Sequence, residues 1–349
     1  MINKDLLQKI SEIPAVSGYE SKMYSVLKKE FSSLVDDCYQ DSMGNFIAVS
    51  EGTGEDIRIM VAAHIDEIGL MVKKIDEDGF IKISAVGGID PRTLPAQKVC
   101  IHGKREITGI IGAMPPHLLD KEEREKAHKL KDLYVDTGYE KEELENLVEV
   151  GDVITIQRQL QELKNDYVSG KALDDRAGVL MMYECARELK NISQEADIYF
   201  VATSQEEVGV KGGITSAFNI NPQIGIAIDV THGLFPGLDK SKAVEMDEGP
   251  AISFGPHVHP DLYELFKETA EKRSIPHQIQ PTPSPFGTDA AGIQVAKSGV
   301  ATALISIPQR YMHTSVETIS LKNIKQGAIL LSQCLKAVDG EFVGGLKCF

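Results

Sequence analysis

Between Glu20 and Leu34 the apolar residues Met23, Val26, Leu27, Phe31 and Leu34 recur at three- and four-residue spacing, just after Ser17 and Gly18. That period predicts an amphipathic helix. Asn45 to Val49 and Ile57 to Ala63 read as strands, the second apolar enough to be buried on both faces. A helix is predicted to open near Asp175 and to carry Val179, Leu180, Met182, Cys185, Ala186 and Leu189. Three more buried strands are expected at Ile198 to Ala202, Ile224 to Ile228 and Ala301 to Ile307, with helices at Leu262 to Arg273, Asp289 to Lys297 and Leu321 to Lys336. Strands alternating with helices predict an α/β sheet.

From about Gly69 to Gln161 the rhythm changes to short alternating runs such as Phe80-Ile-Lys-Ile-Ser and Val153-Ile-Thr-Ile, broken by Gly87-Gly88, Gly103 and Gly151-Asp152. This reads as a small β-rich inserted domain. The charge run from Asp120 to Lys131 within it reads as a solvated helix or loop.

Composition narrows the function. The 349 residues are 42% apolar and 26% charged, enough for an ordinary core, and the formal net charge of -15 excludes a nucleic-acid footprint or attraction to anionic membranes. Five cysteines (Cys38, Cys100, Cys185, Cys334, Cys348) without a CxxC pair suggest reduced thiols in the cytoplasm. No apolar run approaches the roughly 18 residues of a membrane span, so the chain is expected to be soluble and cytoplasmic.

The acids and histidines fall where predicted strands end. His64 and Asp66 follow Ile57 to Ala63, Glu206 and Glu207 follow the strand ending near Ala202, Asp229 ends Ile224 to Ile228, and His313 lies beyond Ala301 to Ile307. In an open α/β sheet that edge binds ligands, so these segments converge, and Asp174-Asp175 at a helix start can join them. Singly, each has a plainer reading. Asp174 or Asp175 can cap a helix, Glu206-Glu207 can be a solvated turn, and His64 a hydrogen-bonded core histidine. Asp229 is harder to dismiss, because a carboxylate buried after six largely apolar residues costs several kcal/mol without a partner, and a cation is the economical one. Two histidines and three carboxylates suit a pair of divalent ions such as zinc, cobalt or manganese better than calcium. Two such ions are balanced by Asp174, Glu207, Asp229 and a bridging hydroxide. His257 and His259 read as loop residues rather than ligands.

Across almost its whole length the chain resembles the tetrahedral, or TET-type, metallo-aminopeptidases, the family of glutamyl and deblocking aminopeptidases. The resemblance is carried by Ala63-His-Ile-Asp-Glu-Ile-Gly, Gly170-Lys-Ala-Leu-Asp-Asp-Arg-Ala-Gly, Ser204-Gln-Glu-Glu-Val-Gly, Ala227-Ile-Asp-Val-Thr-His, Gly287-Thr-Asp-Ala and Ile307-Pro-Gln-Arg-Tyr-Met-His-Thr, with Gly112-Ala-Met-Pro-Pro-His-Leu-Leu in the insertion. It implies a di-zinc peptidase fold, an α/β fold with a mixed sheet flanked by helices, with residues 1–67 and 163–349 as the catalytic domain and 68–162 as an inserted small β-barrel used for oligomerisation or as a lid. It implies two divalent ions per subunit, zinc first, with cobalt or manganese as alternatives. Asp174 would bridge them, His64 and Asp229 would complete one site, and Glu207 and His313 the other. Glu206 would be the general base, moving a proton from the bridging water to the leaving amine. Asp66 would orient His64 from behind, and Asp175 would support the backbone of Asp174. The implied substrates are short peptides with free N-termini, and the implied assembly is a homo-oligomer, up to a tetrahedral dodecamer. The loops Gly233 to Asp239 and Val244 to Glu248 depart from the family's forms, so the preferred N-terminal residue is not implied. Two other readings stand beside this one: a related hydrolase of acylated amino acids or glycosides, and a metal-stabilised scaffold without activity.

Overall fold

In the computed structural model, the strand Arg58–His64 turns Ile59, Val61 and Ala63 to one face and Met60 and Ala62 to the other, and both sets are buried. A strand covered on both sides needs a layer of helices above and below it. The structure describes residues 2–54, 56–190, 192–283 and 287–346. Its main sheet runs in the order Asp37–Gln40, Phe46–Ser50, Asp197–Thr203, Arg58–His64, Ile224–His232, Ala301–Arg310, Glu317–Ser320, Tyr167–Gly170, Gln161–Glu162, with Ala251–Phe254 also paired to Ala301–Arg310. The four central strands, from Asp197–Thr203 to Ala301–Arg310, are mutually parallel, and the flanking pairings are antiparallel.

One face is covered by the helices Leu173–Leu189 and Leu321–Ala337, with Lys4–Glu12, Ser21–Phe31 and Pro260–Arg273 in the same buried cluster. The other face packs against Lys211–Ile220 and Asp289–Gln294 through Ala217, Ile220, Ala290 and Ile293. The α/β sheet expected from the period is present, flanked by helices and mixed in strand direction as the resemblance implied. Four bounds differ by three residues or more, the first being the helix expected to Leu34, which ends at Phe31. The strands begun at Ile224 and Ala301 run on to His232 and Arg310, so Asp229 lies inside its strand rather than at its end, and the helix from Asp289 stops at Gln294.

Five residues after His64 the chain enters a closed barrel of Gly69–Ile75, Ile81–Val86, Tyr134–Asp136, Glu106–Gly112, Lys98–His102 and Val153–Ile156. Its interior is filled by alternate residues including Leu70, Val72, Ile81, Ile83, Val99, Ile101, Val135 and Ile154. The charge run forms only the short helix Lys121–Arg124 and an exposed loop.

Candidate metal centre

The C-terminal ends of the parallel strands deliver the polar residues. His64 is the last residue of its strand and lies opposite Thr203 of the neighbouring one. On its other side Ala62 pairs with Ala227, and continuing that register sets Asp229 beside His64. Beyond Thr203 the chain turns at Gln205, whose φ is 55°, and presents two adjacent glutamates in different directions. Glu206 Oε2 lies 4.0 Å from His64 Nε2, whereas Glu207 Oε1 lies 3.3 Å from His313 Nε2. Asp66 fixes that turn: Oδ1 accepts from the Glu206 N–H at 3.0 Å, and Oδ2 accepts from the Glu207 N–H at 3.1 Å and from the Ser17 hydroxyl at 2.6 Å.

Asp174 stands between the two imidazoles. The helix assigned to Leu173–Leu189 carries non-helical dihedrals at Asp174 and Asp175, so its first residues form a bent lead-in. Asp174 Oδ1 faces His64 Nε2 at 3.1 Å, and Oδ2 faces His313 Nε2 at 3.4 Å. Each oxygen therefore serves a different histidine. The other ring nitrogens are held from behind. His64 Nδ1 lies 3.2 Å from the Asp66 carbonyl and 3.5 Å from its Oδ1, and His313 Nδ1 lies 2.9 Å from the carbonyl of Gly88. Gly88 follows the barrel strand Ile81–Val86, so a backbone carbonyl of the insertion orients a side chain of the turn between Ala301–Arg310 and Glu317–Ser320. A Cβ at Gly88 would come within 2.8 Å of His313 Nδ1, and only glycine permits this approach.

Burial shapes the electrostatics. It is the main force pushing Glu206 up to about 10, aided by Asp229, Asp289 and Glu207 and opposed by His64. Asp229 is driven well above its usual range by burial and by Asp174; its Oδ1 accepts the neighbouring Val230 N–H at 2.7 Å. Burial would raise Asp174 too, but hydrogen bonds to His313 and His64 outweigh it and hold the carboxyl below its ordinary value. His313 is raised to about 11 by Asp174 and Glu207, and His64 is held well above its usual value by Asp174 and Asp66 against the opposing effect of burial. In this state protons on the imidazoles neutralise part of a carboxylate excess. Histidine nitrogens and carboxylate oxygens gathered around an excess of negative charge match what borderline divalent ions need. Among the described residues, ligand atoms of His64, Asp174 and Glu207 all lie within 4.8 Å of one another.

Asp175 does not carry the backbone of Asp174. Its Oδ1 accepts the Gly178 N–H at 3.1 Å, inside its own helix. That backbone is held by Glu317, which the sequence reading did not single out. Glu317 Oε2 accepts from the N–H groups of Leu173 at 2.7 Å and Asp174 at 3.1 Å, and Oε1 accepts from the His313 N–H at 3.0 Å. A glutamate opening a short strand has no periodic signature, and its partners lie more than 140 residues upstream and four residues back. Asp289, also given no role, is buried beside the Thr203 hydroxyl and pushed by burial to about 6. Its presence in the Gly287-Thr-Asp-Ala motif was the available signal. His259 accepts the Asp261 N–H at the start of a helix, in keeping with a non-ligand reading.

A helix-flanked sheet assembles histidines and carboxylates, a donor set that could hold a metal ion, at the C-terminal edge of its parallel strands, and the family match makes the class that of the aminopeptidases. The chain belongs to the family described as M42 glutamyl aminopeptidase, whose model matches residues 44–330. It is 39% identical to the lysyl aminopeptidase of Pyrococcus furiosus over 350 residues, 97% of this chain and 99% of that one. The structure of a TET aminopeptidase from a marine-sediment Thaumarchaeota archaeon superposes with a TM-score of 0.94 at 30% identity, covering 99% and 98% of the two chains. A Pyrococcus horikoshii TET1 peptidase that can assemble into a tetrahedron or a large octahedral shell superposes with a TM-score of 0.84 at 33% identity, covering 96% and 99%. The protein is thus an aminopeptidase, and among the described residues no helix is long and apolar enough to cross a membrane.

Proposed function

We propose that the enzyme removes N-terminal residues from short peptides with two divalent ions, zinc in the first instance, held by His64, Asp174, Glu207, Asp229 and His313. The observation that carries this reading is the position of Asp174, with one oxygen toward each histidine, as a carboxylate shared by two ions requires. When bound, such ions acidify a water and polarise the scissile carbonyl. Glu206 is the spare carboxylate: it accepts the proton of the attacking water and returns it to the leaving amine. Asp66 holds the Glu206 and Glu207 backbones, so the base and its neighbouring ligand keep separate directions. The acidic surroundings favour a free α-ammonium group, which makes the enzyme a strict exopeptidase, and N-acetylated peptides are expected to resist cleavage.

Metal content and rate measured on the same preparations test the assignment. Glu206→Gln is expected to keep both ions and to lose about 10²-fold or more in turnover. Glu207→Gln weakens one site, with activity partly recovered at high metal, and Asp174→Asn weakens both. Loss of metal in Glu206→Gln, with both ions kept in Glu207→Gln, would reverse the two roles. Assembly follows the relative that forms shells: light scattering is expected to give a multiple of the 38.2 kDa chain, and a fully active monomer would refute it.

A further inference from the structure

Outside the catalytic cluster, the barrel brings a thiol, an imidazole and a carboxylate together. Cys100 and His102 are two residues apart on Lys98–His102 and so share a face, and Glu106 is the register partner of His102 across the hairpin. Cys100 Sγ lies 4.0 Å from His102 Nδ1, which lies 3.6 Å from Glu106 Oε1, and the three ligand atoms fall within 4.8 Å of one another. A tetrahedral zinc with bonds of about 2.3 Å to sulfur and 2.0–2.1 Å to nitrogen would bring sulfur and nitrogen to about 3.6 Å, so closure needs only a few tenths of an ångström. The third strand prepares the ring. Thr155 pairs with Cys100, and its hydroxyl lies 2.9 Å from His102 Nε2. A proton on Nε2 donated to Thr155 leaves the Nδ1 lone pair facing the thiol and the carboxylate.

We infer that Cys100, His102 and Glu106 form a separate site for one thiophilic divalent ion, such as zinc or cobalt(II), at the junction of the barrel and the catalytic domain. A thiolate and a carboxylate cancel the charge of the ion. The competing partner is Lys22, 3.5 Å from Glu106 with both side chains more than half exposed, and an exposed pair of this kind is worth little. The cluster lines a cavity of about 620 Å³ shared with Glu12, Pro14 and Lys171 of the catalytic domain, which leaves a fourth coordination position for water. No step of peptide cleavage passes through it.

Cobalt titration separates this ion from the catalytic pair, whose proposed ligands include no sulfur. The metal-stripped full-length protein is titrated with cobalt(II) while the near-ultraviolet thiolate-to-cobalt absorption is followed. That band is expected in the native chain and absent in Cys100→Ser, which should keep the cobalt-supported peptidase activity. His102→Ala should need at least the roughly tenfold more cobalt that loss of even an outer-shell partner demands. Peptidase activity in both variants reports that they are folded, and it does not depend on the outcome for the band. No band at saturating cobalt, or a band that survives in Cys100→Ser, would overturn the proposal.

Discussion

Glu67 and Glu206 are both buried carboxyl groups at the same edge of the sheet, yet burial leaves them in opposite states. Glu67 lies 2.6 Å from Lys171 Nζ and 3.3 Å from an Arg176 nitrogen. Burial alone would raise it, but these two cations outweigh burial and hold it below its ordinary value. Burial and the repulsion of Arg176 also lower Lys171, and the 2.6 Å contact is nonetheless the geometry of an ion pair. Glu206 faces His64 at 4.0 Å and three other carboxylates, and is pushed up to about 10. The two clusters border one small cavity, lined by Glu67, Lys171, Asp174, Glu207 and Glu317 among others. One cluster carries its cations covalently in the chain. The other has carboxylates in excess of the cations the chain supplies, and on the proposed reading bound metal makes up the difference.

The largest expected effect comes from breaking the self-sufficient cluster. Arg176 is fully buried and also donates to the carbonyls of Ile10 at 2.5 Å, Ile13 at 2.7 Å and Ile65 at 3.1 Å. Arg176→Met removes one of Glu67's cations and orphans those carbonyls, so urea denaturation should show a loss of about 3–5 kcal/mol. Added zinc should not repair it specifically. A loss below about 1 kcal/mol would mean that the arginine is not needed to compensate Glu67.

Metal removal probes the other cluster. In the metal-free chain Glu206 keeps its proton to about 10 when folded, but releases it near 4.5 when unfolded. Between those values the folded state binds more protons, so this contribution to stability is full below 4.5 and is lost as pH rises. His313, raised to about 11 from 6.5, acts with the same sign. Glu67 runs the other way, its contribution present above 4.5 and lost on acidification. On the proposed reading metal takes the place of the first set of protons, so the gain in Tm on adding zinc should grow from about pH 6 to about pH 9, and it corresponds to about 2.7 kcal/mol at a hundredfold excess over Kd. A metal-free Tm that climbed with pH across this window would contradict the description of the cluster.

The same contrast explains how much was legible in the sequence. Strands such as Arg58–His64 announce themselves because both faces are apolar, and the edge they share follows from their parallel order. Asp229 was visible as an acid after an apolar run, although its strand continues past it, since Val230 still packs in the core. Glu317 and Gly88 were not legible in their roles. Each acts on a backbone or ring atom that only folding brings close, His313 being 225 residues from Gly88. Hydrophobic period locates elements, but an acceptor aimed at a distant N–H leaves no period.

Glu317→Gln sharpens the comparison with the smallest expected effect. Both oxygens of this side chain accept backbone N–H groups: Oε2 those of Leu173 and Asp174, Oε1 that of His313. Burial and the charge of Asp174 push the group well up, while the N–H donors of Leu173 and Asp174 oppose that rise. A glutamine must turn its NH₂ toward one of those donor sets, so either Asp174 or His313 loses its hold. Loss of such an outer partner costs about 10- to 100-fold in metal affinity, or about 1.4–2.7 kcal/mol. Competition with a chromogenic chelator measures that affinity, and kcat at saturating metal should stay close to the native value because both Glu317 oxygens are taken by backbone N–H groups. The result is the mirror image of Glu206→Gln, where affinity holds and kcat falls. Native affinity with kcat lost at saturation would instead put Glu317 in the chemistry, and would dissolve the distinction between residues that hold the cations and the residue that moves the proton.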